Sequence, residues 1–226
     1  MSIYGTHPLI LYLPHRPSYQ QVARTLAKLA KSGDGFVLVC NADPERSFRL
    51  LNEYHSVRHG SSWLTREYFE MMRAADATGV NFCAYFIDMF AADDTAHGRP
   101  LCGEVGFGMG GVYTSLSGWM RDRDDPGVGT TQLVLLGRWL QARDYRWWSL
   151  GHCYSPQLDY KRQLGQRIYD RLDFLHLLAL HRGEFRPDPG SATATLTTQA
   201  LRCGDSAGTR ELLAVHLHAN SVPAEA

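Results

Sequence analysis

Apolar residues recur along much of the chain every three to four positions, the spacing typical of helices with one buried face. Capping residues mark where several of these stretches begin: serine or threonine leads three of them, and an Asp-Pro pair leads another. We predict helices that begin at Ser18, Asp43, Thr65 and Thr130, and further helices over Gln157–Leu164, Leu172–Leu180 and, near the end, Arg210–Leu217.

Between these stretches lie shorter runs that are continuously apolar or rich in aromatic residues, and these runs predict buried strands. They cover Gly35–Cys40, Asn81–Phe90 and Trp147–Gly151, and two central strands are predicted within Gly103–Met120. Strands and helices do not alternate regularly, so an α+β fold is predicted. We expect a central, mostly antiparallel sheet flanked by helices, of the acetyltransferase (GNAT) type.

The central block Gly103–Met120 contains a run of glycines among apolar and β-branched residues. Glycine has no Cβ, so a substrate can come close to the backbone of such strands. The same glycines can instead permit a bulge or tight internal packing. Both interpretations stay open from the sequence.

Three parts of the chain differ in character. Residues 1–17 are interrupted by prolines and are expected to be irregular, residues 18–186 hold the predicted elements of one main domain, and residues 187–226 are poor in large apolar groups and read as a weakly ordered tail. No export signal is expected, because the early apolar run Leu9–Leu13 is short and is followed by Pro14, and no apolar run reaches membrane-spanning length. A cytoplasmic protein without a membrane partner is therefore expected.

The chain contains 23 basic and 23 acidic residues, which argues against a protein that binds nucleic acid over its whole surface. A small basic excess in the first and last thirds leaves room for a local nucleic-acid surface. Five scattered cysteines without a C-x-x-C pair indicate reduced thiols and neither a disulfide framework nor a zinc site. No metal is expected, because no cluster has ligand spacing.

Four segments carry a resemblance to a known family. Ser62–Thr65 ahead of a helix, the glycine-rich block Gly103–Met120, and Leu164–Gly165 ahead of Arg171–Leu175 occur in an order that resembles the leucyl/phenylalanyl-tRNA protein transferases. The resemblance implies an acetyltransferase-like catalytic domain over residues 18–186. It also implies transfer of Leu or Phe from charged tRNA to the N-terminal α-amine of a protein marked for degradation, with no cofactor.

The resemblance further implies a set of substrate contacts. Trp63 matches the family's tryptophan beside the aminoacyl-adenosine site, and Phe107–Met109 match the lining of the pocket for the amino-acid side chain. Trp147 and Trp148 alternate faces of a strand, so one is expected in the core and the other could stack on adenine or cover the pocket, unless both belong to the core. Lys161 could contact phosphate or simply be solvated. The predicted substrate contacts are Trp63, Phe107, Met109, Trp119, Met120, Trp148 and Lys161.

Two departures from the family concern its acidic residues. Ser117 stands where the family has a glutamate, and Ser149-Leu150-Gly151 stands where it has a D-x-Q pair. His152 follows directly and titrates near neutral pH, so it could replace the missing base. Ser117, Ser149 and His152 are therefore the predicted polar groups at the reacting centre.

Two other functions remain open. The segment Arg123–Thr130 nearly matches the pyrophosphate-binding turn of acetyl-CoA-dependent N-acetyltransferases, although it has one residue too many and two flanking aspartates. Alternatively, loss of the acidic pair could leave a binding module that recognises peptide N-termini or charged tRNA without catalysis.

Overall fold

The computed structural model describes residues 9–12, 36–78, 81–91, 98–122, 127–152, 161, 167–184 and 193–194. These residues form four helices and eight strands in one sheet. The helices are α1 (Pro44–His59), α2 (Arg66–Ala77), α3 (Val128–Ala142) and α4 (Arg171–His181). The strands are β1 (Leu9–Tyr12), β2 (Phe36–Cys40), β3 (Phe82–Ala91), β4 (Cys102–Met109), β5 (Val112–Met120), β6 (Trp147–His152), β7 (Arg167–Tyr169) and β8 (Thr193–Ala194).

The strands are arranged in the order β7-β1-β6-β5-β4-β3-β2-β8. All neighbours are antiparallel except β5 and β6, which run parallel. The predicted α+β class with a mostly antiparallel sheet is therefore confirmed.

Local capping explains where the helices begin. The Asp43 carboxylate accepts a hydrogen bond from the Arg46 amide, with Pro44 in the first turn, and Thr65 caps α2 in the same way. Both starts agree with the sequence. Helix α3 begins at Val128, two residues before the predicted Thr130, so its start differs from the prediction.

Two short strands lie in segments that were predicted from the sequence to be irregular or weakly ordered. Strand β1 occupies Leu9–Tyr12 and pairs with β6 on one side and β7 on the other, while β8 adds two residues beside β2. Runs this short have no clear period, so their pairing partners decide their conformation. The division into residues 1–17, 18–186 and 187–226 stays a prediction. The helices predicted at Ser18 and Arg210–Leu217, and Gln157–Leu164 apart from Lys161, lie outside the described residues.

Apolar side chains cover both faces of the sheet. One face packs against α3 through a cluster that includes Tyr113, Leu136 and Trp139, and we call it the α3 face. The opposite face packs against α1 and α2 through a cluster that includes Leu51 and Phe69, and we call it the α1–α2 face. Within the described residues, no helix has the length and apolar character needed to cross a membrane.

Candidate functional site

An irregularity in the middle of β5 organises the candidate site. Opposite β4, Val105 pairs with Ser117 and Gly106 pairs with Ser115, so Leu116 is an extra residue in β5. Such a bulge shifts the alternation of side chains along a strand. Ser115 and Ser117, which would share a face in a regular strand, therefore point to opposite faces of the sheet.

The same region is where the two parallel strands stop pairing. Strand β5 pairs with β6 only over Val112–Thr114, opposite Trp147–Ser149. Beyond this point, the described pairs of β5 are with β4 and those of β6 are with β1. The carbonyl of Leu150, just past the last parallel pair, accepts a hydrogen bond from the ammonium group of Lys161. A lysine side chain thus enters the region where the two strands part.

A buried acidic cluster lies on the α3 face at the bulge. Glu104 Oε1 accepts hydrogen bonds from the Tyr113 hydroxyl at 2.6 Å and from Ser115 Oγ at 2.8 Å. Ser115 Oγ in turn accepts a hydrogen bond from Trp148 Nε1 at 2.8 Å. The carboxyl group of Glu104, only 3% exposed, is thereby held in one orientation by donors from the neighbouring strand.

The pKa of the Glu104 carboxyl group lies near neutral pH. Burial raises the pKa of Glu104 to about 7, against the opposing effects of the hydrogen bonds from Tyr113 and Ser115 and of the positive charge of Lys161. Burial, together with the charge of this carboxyl group and its hydrogen bond, raises the pKa of Tyr113 well above its ordinary value, so the phenol remains a donor. Glu104 can therefore hold or release a proton near pH 7.

A second polar pair lies on the α1–α2 face of the same bulge. Ser117 Oγ is 2.9 Å from Nε2 of His55, a residue of α1 that is 7% exposed. His55 lies four residues after Leu51, so both belong to the buried stripe of α1. The adjacent Gly118 is exposed, so the pair lies near the surface.

The surroundings of His55 favour the neutral ring. Burial lowers the pKa of His55, and the neighbouring positive charges of His59 and Arg58 lower it further, against a hydrogen bond to the Gly118 backbone. An unprotonated imidazole beside a hydroxyl can accept its proton.

The glycines of β4 make room for aromatic side chains of the protein itself. A Cβ on Gly106 would lie 2.6 Å from Cζ of Tyr113, and one on Gly108 would lie 3.0 Å from Cζ of Tyr145. At Gly103 a Cβ would lie 2.6 Å from Nε1 of Trp119. Of the two interpretations of the glycine run, tight internal packing is the one observed at these three positions.

The residues predicted to line an apolar pocket are not all brought together. Phe107 stacks on Phe82 with ring centroids 5.5 Å apart and packs on the α1–α2 face, where Trp119 is also buried. Met120 packs on the α3 face instead. Trp63 lies in the connection between α1 and α2, 42% exposed, with its ring edge against Tyr68, and Met109 ends β4, half-buried.

The remaining predicted residues lie on or beside β6. Trp148 is buried in the core of the α3 face, and Lys161 is buried with its charge near Glu104. Ser149 is 3% exposed and pairs with Thr114, so it shares the α1–α2 face with Ser117. The backbone of His152 ends β6, and its side chain lies outside the described residues.

Sequence reasoning missed Glu104 and His55, although each had a local signal. Glu104 is the one acidic residue in the apolar, glycine-rich strand β4, and a lone carboxylate in such a run points to a buried, hydrogen-bonded group. His55 follows Ser47 and Leu51 at intervals of four, which places it on the inner face of a helix. Within the described residues, no group of three or more potential ligands could hold a metal ion.

Comparison with solved structures identifies proteins of the same fold. The chain is similar to L-PGS from Bacillus licheniformis, with a TM-score of 0.53 and 9% identity over 78% of this chain and 65% of that one. It is also similar to the C-terminal domain of a protein described as a lysylphosphatidylglycerol synthetase from Agrobacterium fabrum, with a TM-score of 0.53 and 11% identity over 80% of this chain and 67% of that one. The chain thus spans about two thirds of each neighbour. Neither a protein-family model nor a curated protein sequence matches it.

These neighbours overturn the family resemblance drawn from the sequence. The assignment to the leucyl/phenylalanyl-tRNA protein transferases is wrong, and so is the N-terminal tagging of proteins that it implied, because the matching structures are lysylphosphatidylglycerol synthetases. The acetyl-CoA alternative gains no support from them either. The order of the elements did not distinguish the families, whereas the missing acidic pair was the residue-level sign of a difference.

Proposed function

We propose that this protein is an aminoacyltransferase that moves an aminoacyl group from aminoacyl-tRNA to a hydroxyl group of an anionic lipid such as phosphatidylglycerol. The observation that carries the proposal is the likeness of fold to two lysylphosphatidylglycerol synthetases over 78% and 80% of the chain. Their name describes a lipid that bears a lysyl group. As part of the same proposal, the sheet belongs to the acetyltransferase type, in keeping with helices on both faces of a mostly antiparallel sheet.

The chemical nature of the acceptor determines how strongly the reaction depends on a general base. A free α-amine has a pKa near 8 and is partly unprotonated at neutral pH, whereas an alcohol holds its proton far more tightly. A general base, which typically contributes about 10²–10⁴ in rate, is therefore more important for a lipid hydroxyl. The region around the β5 bulge offers two groups suited to proton transfer near neutral pH, Glu104 and His55.

We place the reacting centre on the part of β5 and β6 beyond their last parallel pair. Ser117 lies beyond this point on β5, while Ser149, in the last pair, and His152 lie on β6. Phe107, stacked in the α1–α2 face, and the exposed Trp63 are the aromatic groups that we assign to the aminoacyl-adenosine end of the donor. Lys161 and Trp148 act from the α3 face by fixing the Leu150 carbonyl and Ser115.

The test uses the full chain with a pool of charged tRNA and vesicles that contain phosphatidylglycerol. Mass spectrometry of the extracted lipid should find phosphatidylglycerol enlarged by one aminoacyl residue, and its mass would identify the amino acid. Parallel reactions contain uncharged tRNA with free amino acids, vesicles of phosphatidylcholine alone, and a peptide acceptor.

The parallel reactions distinguish outcomes that support the proposed function from outcomes that contradict it. Modification of lipid only with charged tRNA supports the proposal. Modified peptide with unmodified lipid, or retention of charged tRNA without any transfer, contradicts it; the latter result would identify a binding module.

A further inference from the structure

The contact between Ser117 and His55 has the arrangement of a nucleophile and its base. The hydroxyl oxygen and Nε2 are 2.9 Å apart, within the range of proton transfer, and the ring is also hydrogen-bonded to the Gly118 backbone. A base that is held by a third group and that touches a hydroxyl is the usual arrangement for activating serine. Ser117 is half-buried and Gly118 is exposed, so a substrate can reach the hydroxyl from the surface.

The groups around His55 keep its ring available as a base. On its own helix the facing residues are Arg58, His59 at a ring distance of 5.6 Å, and Tyr54 at 5.9 Å. From β5 it faces Ser117 and the Gly118 backbone. The described contacts of His55 include no carboxylate, and the hydrogen bond to the Gly118 backbone, which favours the charged ring, is outweighed by burial and by the positive charges of His59 and Arg58.

We propose that Ser117 and His55 form a nucleophile–base pair in which Ser117 Oγ carries the acyl group between donor and acceptor. The identity of that group as aminoacyl rests on the function proposed above. The pair itself rests on the geometry at the β5 bulge, which brings the inner face of α1 onto a hydroxyl that a regular strand would turn to the other side.

The reaction exchanges one ester for another, so no oxidant or further reactant is needed. Ser117 Oγ attacks the carbonyl carbon of the aminoacyl ester while Nε2 of His55 takes the hydroxyl proton. The bond between that carbon and the ribose oxygen of tRNA breaks, and the departing oxygen takes the proton from His55. The acceptor hydroxyl then attacks the acyl-serine, its proton passes to His55 and returns to Ser117 Oγ, and the new ester leaves.

The first experiment does not depend on the natural donor. The full chain is treated with a fluorophosphonate, a reagent that phosphonylates activated serine with loss of fluoride, and the labelled residue is located by mass spectrometry. We expect labelling at Ser117, none in Ser117→Ala, and a rate lower by about 10²–10⁴ in His55→Gln. Ser56→Ala, an exposed neighbour on the same helix, is the matched control and should label like the unchanged protein.

The pH dependence of the labelling rate distinguishes activation of Ser117 by His55 from packing of the two side chains without activation. The labelling rate should rise with pH through the lowered pKa of His55 and reach its plateau at a lower pH than a free imidazole would give, and this rise should disappear in His55→Gln. Folding of each variant is checked by circular dichroism. Folded, unchanged protein that does not label at Ser117, or that labels there at the same rate in His55→Gln, overturns the proposal.

The transferase assay separates this proposal from the proposed function. If the protein labels at Ser117 but transfers no aminoacyl group to lipid, the function fails and the pair stands. If lipid is modified and Ser117→Ala keeps the kcat of the unchanged protein, the pair fails and the function stands.

Discussion

Glu104 is an acidic side chain placed in the interior with two hydroxyl donors and a nearby lysine. Burying a carboxylate is costly, and the donors of Tyr113 and Ser115 offset only part of that cost, so the pKa remains raised to about 7. The native state therefore binds a proton that an unfolded chain releases at a lower pH. This difference links the stability of the protein to pH.

Replacing Glu104 should remove a pH-dependent part of the stability. In the unfolded chain the carboxyl group titrates near 4.5, and in the native state near 7. The free energy of unfolding should thus fall as pH rises from 4.5 through 7, by on the order of 3 kcal/mol from this group. Urea unfolding at pH 5 and pH 8 should show this loss in the unchanged protein and in the exposed control Glu53→Gln but not in Glu104→Gln. An equal loss in all three would contradict the prediction.

Gly106 is a position where internal packing leaves no room for a side chain. A new Cβ would lie 2.6 Å from the Tyr113 ring and 2.7 Å from the Thr114 carbonyl oxygen, so the tyrosine that donates to Glu104 would have to move. Gly106→Ala should lower the free energy of unfolding by about 1–3 kcal/mol. Gly183→Ala, where no atom lies within 4 Å of the added Cβ, should lower the free energy of unfolding much less in the same urea titration. Similar midpoints for the two variants would show that the core can adjust.

Helix α1 is fixed to the sheet by an ion pair as well as by its apolar stripe. Arg46 donates from Nε and Nη2 to Oδ2 of Asp88 on β3, at 3.1 and 2.9 Å, and Ser47 donates to Oδ1 at 3.0 Å. Asp88 is 2% exposed, and its burial raises the pKa in spite of the arginine. The pair holds the helix that presents His55 to β5.

Removing the arginine leaves the carboxylate buried without its partner. We expect Arg46→Ala to lower the free energy of unfolding by about 3–5 kcal/mol, because the charge of Asp88 cannot regain its hydration. Arg49→Ala on the exposed side of α1, where the pair with Glu53 is solvated, should change it by less than about 1 kcal/mol. Chemical unfolding at pH 7 measures both. A loss for Arg46→Ala as small as that for Arg49→Ala would mean that water reaches Asp88.

The two apolar clusters pack against opposite faces of the same sheet. Cluster residues on the α3 face and on the α1–α2 face alternate along β3 and β4, with Tyr85 on one side and Phe86 on the other. Neither face can lose its helices without exposing the same strands. The two clusters should therefore unfold together.

Truncating one large side chain in each cluster tests this coupling. The side chains of Trp139 on the α3 face and Phe69 on the α1–α2 face are fully buried. Trp139→Ala and Phe69→Ala should each lower the free energy of unfolding by about 3–5 kcal/mol. Unfolding followed by near- and far-ultraviolet circular dichroism should give coincident transitions in both variants. Val57→Ala, at a site 91% exposed, is the control and should leave the midpoint unchanged. Separate transitions for the two probes would show that the faces unfold independently.

Much of the fold was accessible from the sequence because its signals are local. The caps at Asp43 and Thr65, the helix over Leu172–Leu180 and the buried strands at Gly35–Cys40 and Asn81–Phe90 depend on neighbours within a few residues, and the structure has elements at all of these positions. The α+β class follows from the order of those elements. Strand β1 was missed because its conformation depends on partners more than a hundred residues away.

The candidate site was accessible only in part, for the same reason. Ser117 and Ser149 could be singled out on their strands, but the sequence could not show that a bulge at Leu116 turns Ser115 and Ser117 to opposite faces. Nor could it show the hydrogen bond between Ser117 and His55, which joins residues 62 positions apart. Periodicity and capping are properties of a short segment, whereas these contacts depend on how α1 packs on the sheet. The sequence thus determined the elements, and tertiary packing decided which polar side chains meet.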